Sequence, residues 1–170
     1  MKSKERFLIV LAGGASSRLK KSLNDVNLDQ NISDIAKRTH KTLIPLGDDK
    51  RPLLYFILQN ALMAGVRDVF LITSPENSAF KAFIESELFK SNFSNINMNF
   101  AVQYKPDYRE KPLGTSDALM QAMDQYKVLK RKSFVIINGD NLYSVKSLNS
   151  LFELDEEQHA LISYDRDALN

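Results

Sequence analysis

The run from Phe7 to Ala12, FLIVLA, is apolar at every position and stops at two glycines. A strand with one solvated face alternates polar and apolar residues, whereas an unbroken apolar run belongs to a strand covered on both sides. Such a strand calls for a parallel sheet with helices packed on either face. The remainder of the chain alternates accordingly. Segments 67–74 (RDVFLITS), 96–104 (INMNFAVQY), 133–139 (SFVIING) and 160–165 (ALISYD) read as further strands. Segments 51–65, 77–89, 114–129 and 144–154 carry apolar residues at helical spacing between them. In the first, Leu53, Leu54, Ile57, Ala61 and Leu62 share a face, Pro52 stands near the first turn and Gly65 ends the helix. In the third, Leu119, Ala122, Met123 and Tyr126 share a face, with Thr115 or Ser116 as the cap and Asp117 in the first turn. Five strands alternating with helices predict an α/β fold: a Rossmann-like open sheet, mostly parallel, with helices on both faces and right-handed crossovers.

Size and charge narrow the function. With 170 residues, 44% apolar and 26% charged, the chain reads as one domain with a real core, and no linker rich in Pro, Gly or Ser divides it. A formal charge of +2 argues against nucleic acid or an anionic membrane as partner, so anion binding has to come from local placement of cations. Zero cysteines exclude disulfides and cysteine metal sites and suit a cytoplasmic location. No apolar run approaches the roughly 20 residues of a membrane span. The apolar run at 7–12 is also too short for the core of a secretory signal, and Arg18, Lys20 and Lys21 follow it.

Ligands of open α/β sheets sit beyond the carboxyl ends of the strands. Three loops meet that description: LAGGASSR at 11–18, EKPLGTSD at 110–117 and NGDNLY at 138–143. Gly13 and Gly14 let the backbone approach a ligand, Ser16 and Ser17 add donors, and Arg18 can grip phosphate oxygens bidentately. The spacing fits neither the dinucleotide fingerprint nor the P-loop. Asp140 is placed to hold Mg²⁺ between phosphates, an ion that favours one or two carboxylates with phosphate oxygens and water. A glycine turn with a surface arginine, and a plain turn aspartate, are the blander alternatives. His40 and His159 read as structural or surface histidines.

The motifs LAGGASSRL, KTLIPL, EKPLGTSDAL and VIINGDNLY, in this order, resemble those of the sugar-phosphate nucleotidylyltransferases, the nucleoside-diphosphate-sugar pyrophosphorylases. The resemblance covers nearly the whole chain. It implies a fold of the nucleotide-diphospho-sugar transferase type and an enzyme that joins a nucleoside triphosphate to a sugar phosphate, releasing pyrophosphate. It further implies that Leu11, Ala12, Gly13, Gly14, Ser16 and Ser17 bind the triphosphate and that Arg18 stabilises the leaving pyrophosphate. Lys41 would contact the transferred phosphate, Gly114 and Thr115 the base and ribose, and Gly139 the nucleotide beside Asp140, the magnesium ligand. The nucleophile would be a phosphate oxygen already anionic near neutrality, so the chemistry needs positioning and cations rather than a strong base.

Three features depart from the family pattern. The polar segment over 20–40 is longer than usual and reads as a lid; its Asp25, Asn27 and Asp29 echo a calcium loop, but Gln30 and Ala36 stand where glycine and glutamate belong. The family often has a base-reading glutamine shortly before the G-T pair, where this chain has Arg109 and Glu110; Gln103, expected to bind the nucleotide, stands earlier, and the base is left open. The family continues well beyond this length, which predicts a truncation on the C-terminal side, an unpaired sheet edge and self-association or dependence on further chain. Asp165 or Asp167 could then replace the second metal carboxylate. The chain alone is expected to bind a nucleoside triphosphate with little transfer; a nucleotide-binding module without turnover is the second reading. GDNLY resembles thymidylyl- and uridylyl-transferring members.

Overall fold

The computed structural model describes residues 5–14, 39–155, 157–163 and 165. Residues Phe7–Leu11 (β1), Asp68–Thr73 (β4), Asn97–Val102 (β5) and Phe134–Asn138 (β6) form one sheet in the order β5-β4-β1-β6, with every pair parallel. Pro45–Leu46 (β2) and Arg51–Pro52 (β3) make a separate antiparallel hairpin. The helices are Leu53–Met63 (α1), Ser78–Glu85 (α2), Glu87–Phe93 (α3), Thr115–Gln125 (α4) and Val145–Phe152 (α5), with 3-10 turns at Lys41–Leu43 and Lys127–Lys130.

β1 behaves as its composition requires. Leu8 and Val10 point into a core built with Leu54 and Leu58 of α1, Phe93 of α3 and Leu148 of α5. Phe7 and Ile9 point the other way, onto Ala118 and Ala122 of α4 and Leu129 of the second 3-10 turn. Leu8, Ile9 and Val10 are all fully buried, and each such side chain removed from water is worth about 1.5–3 kcal/mol. Helices therefore cover both faces, as the apolar run predicts.

Some expectations are corrected. Segment 160–165 is not a strand among the described residues: 160–163 has no regular structure, and Leu161 is almost wholly exposed. A strand is stabilised by neighbours on its edges and faces, and this segment has no ladder partner there. The helix expected over 77–89 is broken at Ser86, which is extended; its hydroxyl accepts from Phe89 N at 3.3 Å and donates to Phe83 O at 2.6 Å. Serine competes with the helical ladder in this way, ending one helix and capping the next. The cap of α4 is Gly114 rather than Thr115 or Ser116; its φ of 125° lies where a side chain would be strained.

The chain winds outward from β1 through β4 to β5, then returns to the other flank of β1 as β6. The loops after β1 and β6 thus leave the sheet where the strand order reverses, the place where open α/β sheets form a crevice. At the far end, no strand lies beyond β5 among the described residues. Side chains of α4 take the place of one: Gln125 pairs with both N and O of Val102, Gln121 with both N and O of Tyr104, and the Tyr126 hydroxyl donates to Phe100 O.

Candidate functional site

β1 and β6 come together at their carboxyl ends. Gly139 N donates to Leu11 O at 2.9 Å, and Thr42 Oγ1 donates to Gly139 O at 3.0 Å. Thr42 is fully buried and belongs to the 3-10 turn that opens the KTLIPL motif. That turn places Lys41 so that its Nζ donates to Asp140 Oδ2, joining two expected site residues 99 positions apart in sequence. Both side chains are about a third exposed or more, and an ion pair in such a setting contributes only about 0–1 kcal/mol to stability. Stability alone does not account for the arrangement.

Glycine-turn residues occupy the same end of the sheet. Ala12 N donates to Ile72 O at 2.8 Å, which carries the chain off β1 toward β4. Gly14 O lies 2.9 Å from His40 Nε2, while His40 Nδ1 accepts from Thr42 N at 3.3 Å. An Nδ1 that accepts leaves the proton on Nε2, so the ring donates to Gly14 O. The ring also packs on Phe80, centroids 5.0 Å apart. His40 is thus structural, as expected, and what it holds is the glycine turn against the lysine turn.

Beside this junction lies a cleft of about 630 Å³, bounded by Gly13, Gly14, His40, Phe80, Gln103 and Tyr104. Gln103 is buried; its Nε2 donates to Gly114 O at 3.1 Å and to Asp117 Oδ2 at 2.8 Å. Of the expected nucleotide-binding residues, Leu11, Ala12, Gly13, Gly14, Gln103, Gly114 and Gly139 are gathered by these contacts. Thr115 instead lines a second hollow of about 530 Å³ beside β6, with Leu11, Phe134, Ile136 and Asn138. His159 lines that hollow too. Ser16, Ser17, Arg18 and Asp167 lie outside the described residues, as does the segment over 20–40 apart from Thr39 and His40.

The chemistry of the donor set fits Mg²⁺ in part. Asp140 supplies one carboxylate at a strand end, which suffices when phosphate oxygens and water complete the shell. No group of three or more acidic, histidine or cysteine side chains is close enough to form a protein-only metal site among the described residues.

The sequence model of the nucleotidyl transferase family matches residues 8–166. The chain belongs to the nucleotidyl transferase family. Over 137 residues it is 26% identical to D-glycero-alpha-D-manno-heptose 1-phosphate guanylyltransferase of Campylobacter jejuni, covering 81% of this chain and 48% of that protein. Over 100 residues it is 34% identical to glucose-1-phosphate thymidylyltransferase of Neisseria meningitidis, covering 58% and 28%. Its fold is similar to that of UDP-glucose pyrophosphorylase complexed with UDP-glucose, with a TM-score of 0.61 at 14% identity over 88% of this chain and 53% of that one. The chain spans about half the length, or less, of the relatives it matches. No helix among the described residues is long and apolar enough to cross a membrane.

Sequence reasoning missed Thr42, Asp117 as a partner of Gln103, and the glutamines of α4. The i, i+4 series Asp117, Gln121, Gln125 was the available signal: three polar side chains on one helix stripe.

Proposed function

We propose that this chain carries the nucleotide-binding and phosphate-handling part of a sugar-1-phosphate nucleotidyltransferase, which joins a nucleoside triphosphate to a phosphorylated sugar and releases pyrophosphate. The observation that carries the reading is the Lys41–Asp140 pair set beside the glycine turn, in a chain that matches the family over 8–166. In the reaction a sugar-phosphate oxygen attacks the α-phosphorus, and the bond to the β-phosphate oxygen breaks. Lys41 sits where it can neutralise the incoming phosphate. Arg18 offers a bidentate grip on the pyrophosphate that leaves. The glycine turn directs backbone amides at the triphosphate, and Gln103 stands at the base end of the cleft. Holding two anions in attacking geometry can supply about 7–11 kcal/mol of the barrier. Mg²⁺, held by Asp140 and phosphate oxygens, would supply charge neutralisation at the transferred phosphate. A cytoplasmic location fits the lack of cysteine, and the small net charge fits small anionic substrates better than nucleic acid.

A pyrophosphate-release screen over nucleoside triphosphates and sugar 1-phosphates, on this chain and on any longer form of the protein, tests the activity. No release from either form with any pair would defeat it. The metal assignment is tested separately by calorimetry. Asp140→Asn is expected to lose most of the Mg²⁺-dependent gain in triphosphate affinity, because the amide keeps the shape and removes the charge. Equal gain in both proteins would leave Asp140 as a turn residue.

A further inference from the structure

Asp140 follows a glycine that is there for space. A β-carbon at 139 would stand 2.8 Å from Leu11 O, and the φ of Gly139 lies outside the left-handed region, so crowding rather than torsion excludes a side chain. Glycine meets that need at a cost: without a β-carbon, its backbone torsions are the least restrained in a chain. The carbonyl of Gly139 belongs to the planar peptide that leads into Asp140, and a swing of that peptide carries the carboxylate with it. What holds the peptide is Thr42. Its Oγ1 donates to Gly139 O at 3.0 Å, across 97 positions of sequence, from a side chain with no exposed surface. Thr42 is anchored in turn, its N donating to His40 Nδ1 at 3.3 Å and His40 Nε2 donating to Gly14 O at 2.9 Å. Lys41 lies between these two anchored residues, and its Nζ donates to Asp140 Oδ2.

We infer that Thr42 is a positioning residue: its hydroxyl fixes the peptide ahead of Asp140 and so sets where that carboxylate meets Mg²⁺ and the triphosphate. This rests on the proposed Mg²⁺ role of Asp140. Packing alone does not call for the hydroxyl, since valine fills the same space; what the hydroxyl adds is a direction, given to a carbonyl that glycine leaves free to turn. The Lys41–Asp140 pair cannot replace that restraint, because both side chains are about a third exposed or more. Binding sites tolerate only about 0.5 Å of drift in their ligating groups, and groups that hold a metal's ligand in place typically contribute about 10–100-fold to affinity.

Calorimetry on the full chain tests the inference. The probe is the tightest binder among UTP, dTTP, GTP, CTP and ATP, titrated with saturating Mg²⁺ and again with the metal chelated. Thr42→Val, its fold checked by thermal unfolding, is expected to lose about tenfold of the Mg²⁺-dependent gain, the lower end of that range, with metal-free affinity unchanged. Thr42→Ser, which keeps the donor, should keep the gain. In an Asp140→Asn background Thr42→Val should cost nothing further, since residues acting through one group are not additive. A folded valine variant with the wild-type gain would overturn the inference, as would an equal loss with and without Mg²⁺, loss of the gain in the serine variant, or additive losses in the double variant. If the valine variant does not fold, Thr42→Cys, whose thiol is a weak donor, takes its place: a gain between those of wild type and Asp140→Asn supports the inference, and the wild-type gain overturns it. Those failures leave the metal assignment standing. No Mg²⁺-dependent gain in the wild type, or an undiminished one in Asp140→Asn, would remove the assignment and the inference together.

Discussion

Gly139 is the residue on which the site's geometry closes. A β-carbon there would lie 2.8 Å from Leu11 O, 3.3 Å from Thr42 Oγ1 and 3.4 Å from Val10 Cγ1. The first of these is a backbone atom inside the sheet, so alanine could be accommodated only by moving β6 from β1. Gly139→Ala is expected to cost about 1–3 kcal/mol, the usual range for overpacking, read as a lower urea midpoint; an unchanged midpoint would mean the two strand ends have slack. Asp140 was named from its place at a strand end and Lys41 and Gly139 from motifs that resemble the family's, and the structure brings Lys41 and Asp140 into one ion pair. Asp117 was legible only as a helix-start acid. What it does depends on which side chain crosses over from β5, and one-dimensional spacing carries no such information.

Among the elements, long apolar segments were readable and short ones were not. β1, β4, β5 and β6 lie inside their expected spans; for β1 and β4, at the sheet centre, an apolar run leaves few alternatives. The β2–β3 hairpin escaped notice, since strands of two residues have no period to detect. Segment 160–165 has the composition of a strand and no neighbour to pair with among the described residues. The break at Ser86 is the more instructive miss: a serine within helical periodicity reads as neutral, yet here it ends α2 and caps α3. Ser86→Ala removes the acceptor for Phe89 N and the donor to Phe83 O. It should lower stability by about 1 kcal/mol, typical of a lost cap, measured by thermal unfolding. A stabilised variant would instead mean that α2 and α3 gain by fusing into one helix.

For the molecule as a whole, the exposed margins of the sheet matter more than its centre, because unpaired margins recruit other chains. The expected unpaired edge can be sought at two flanks, and they differ. On the β5 flank, Gln121, Gln125 and Tyr126 satisfy the outward backbone groups of Phe100, Val102 and Tyr104. Replacing Gln121 and Gln125 together by leucine should uncover two N–H and two C=O groups, and concentration-dependent association in light scattering is the expected result. A double variant that scatters like the wild type would show that the helix backbone shields the edge without them. Among the described residues, the β6 flank has no such cover from α4 and borders the hollow lined by residues 158–162. The sheet is therefore a ribbon with one hemmed border. Among the described residues the covered border is the one that carries Gln103, so a strand added to the sheet would join at the other, next to Asp140.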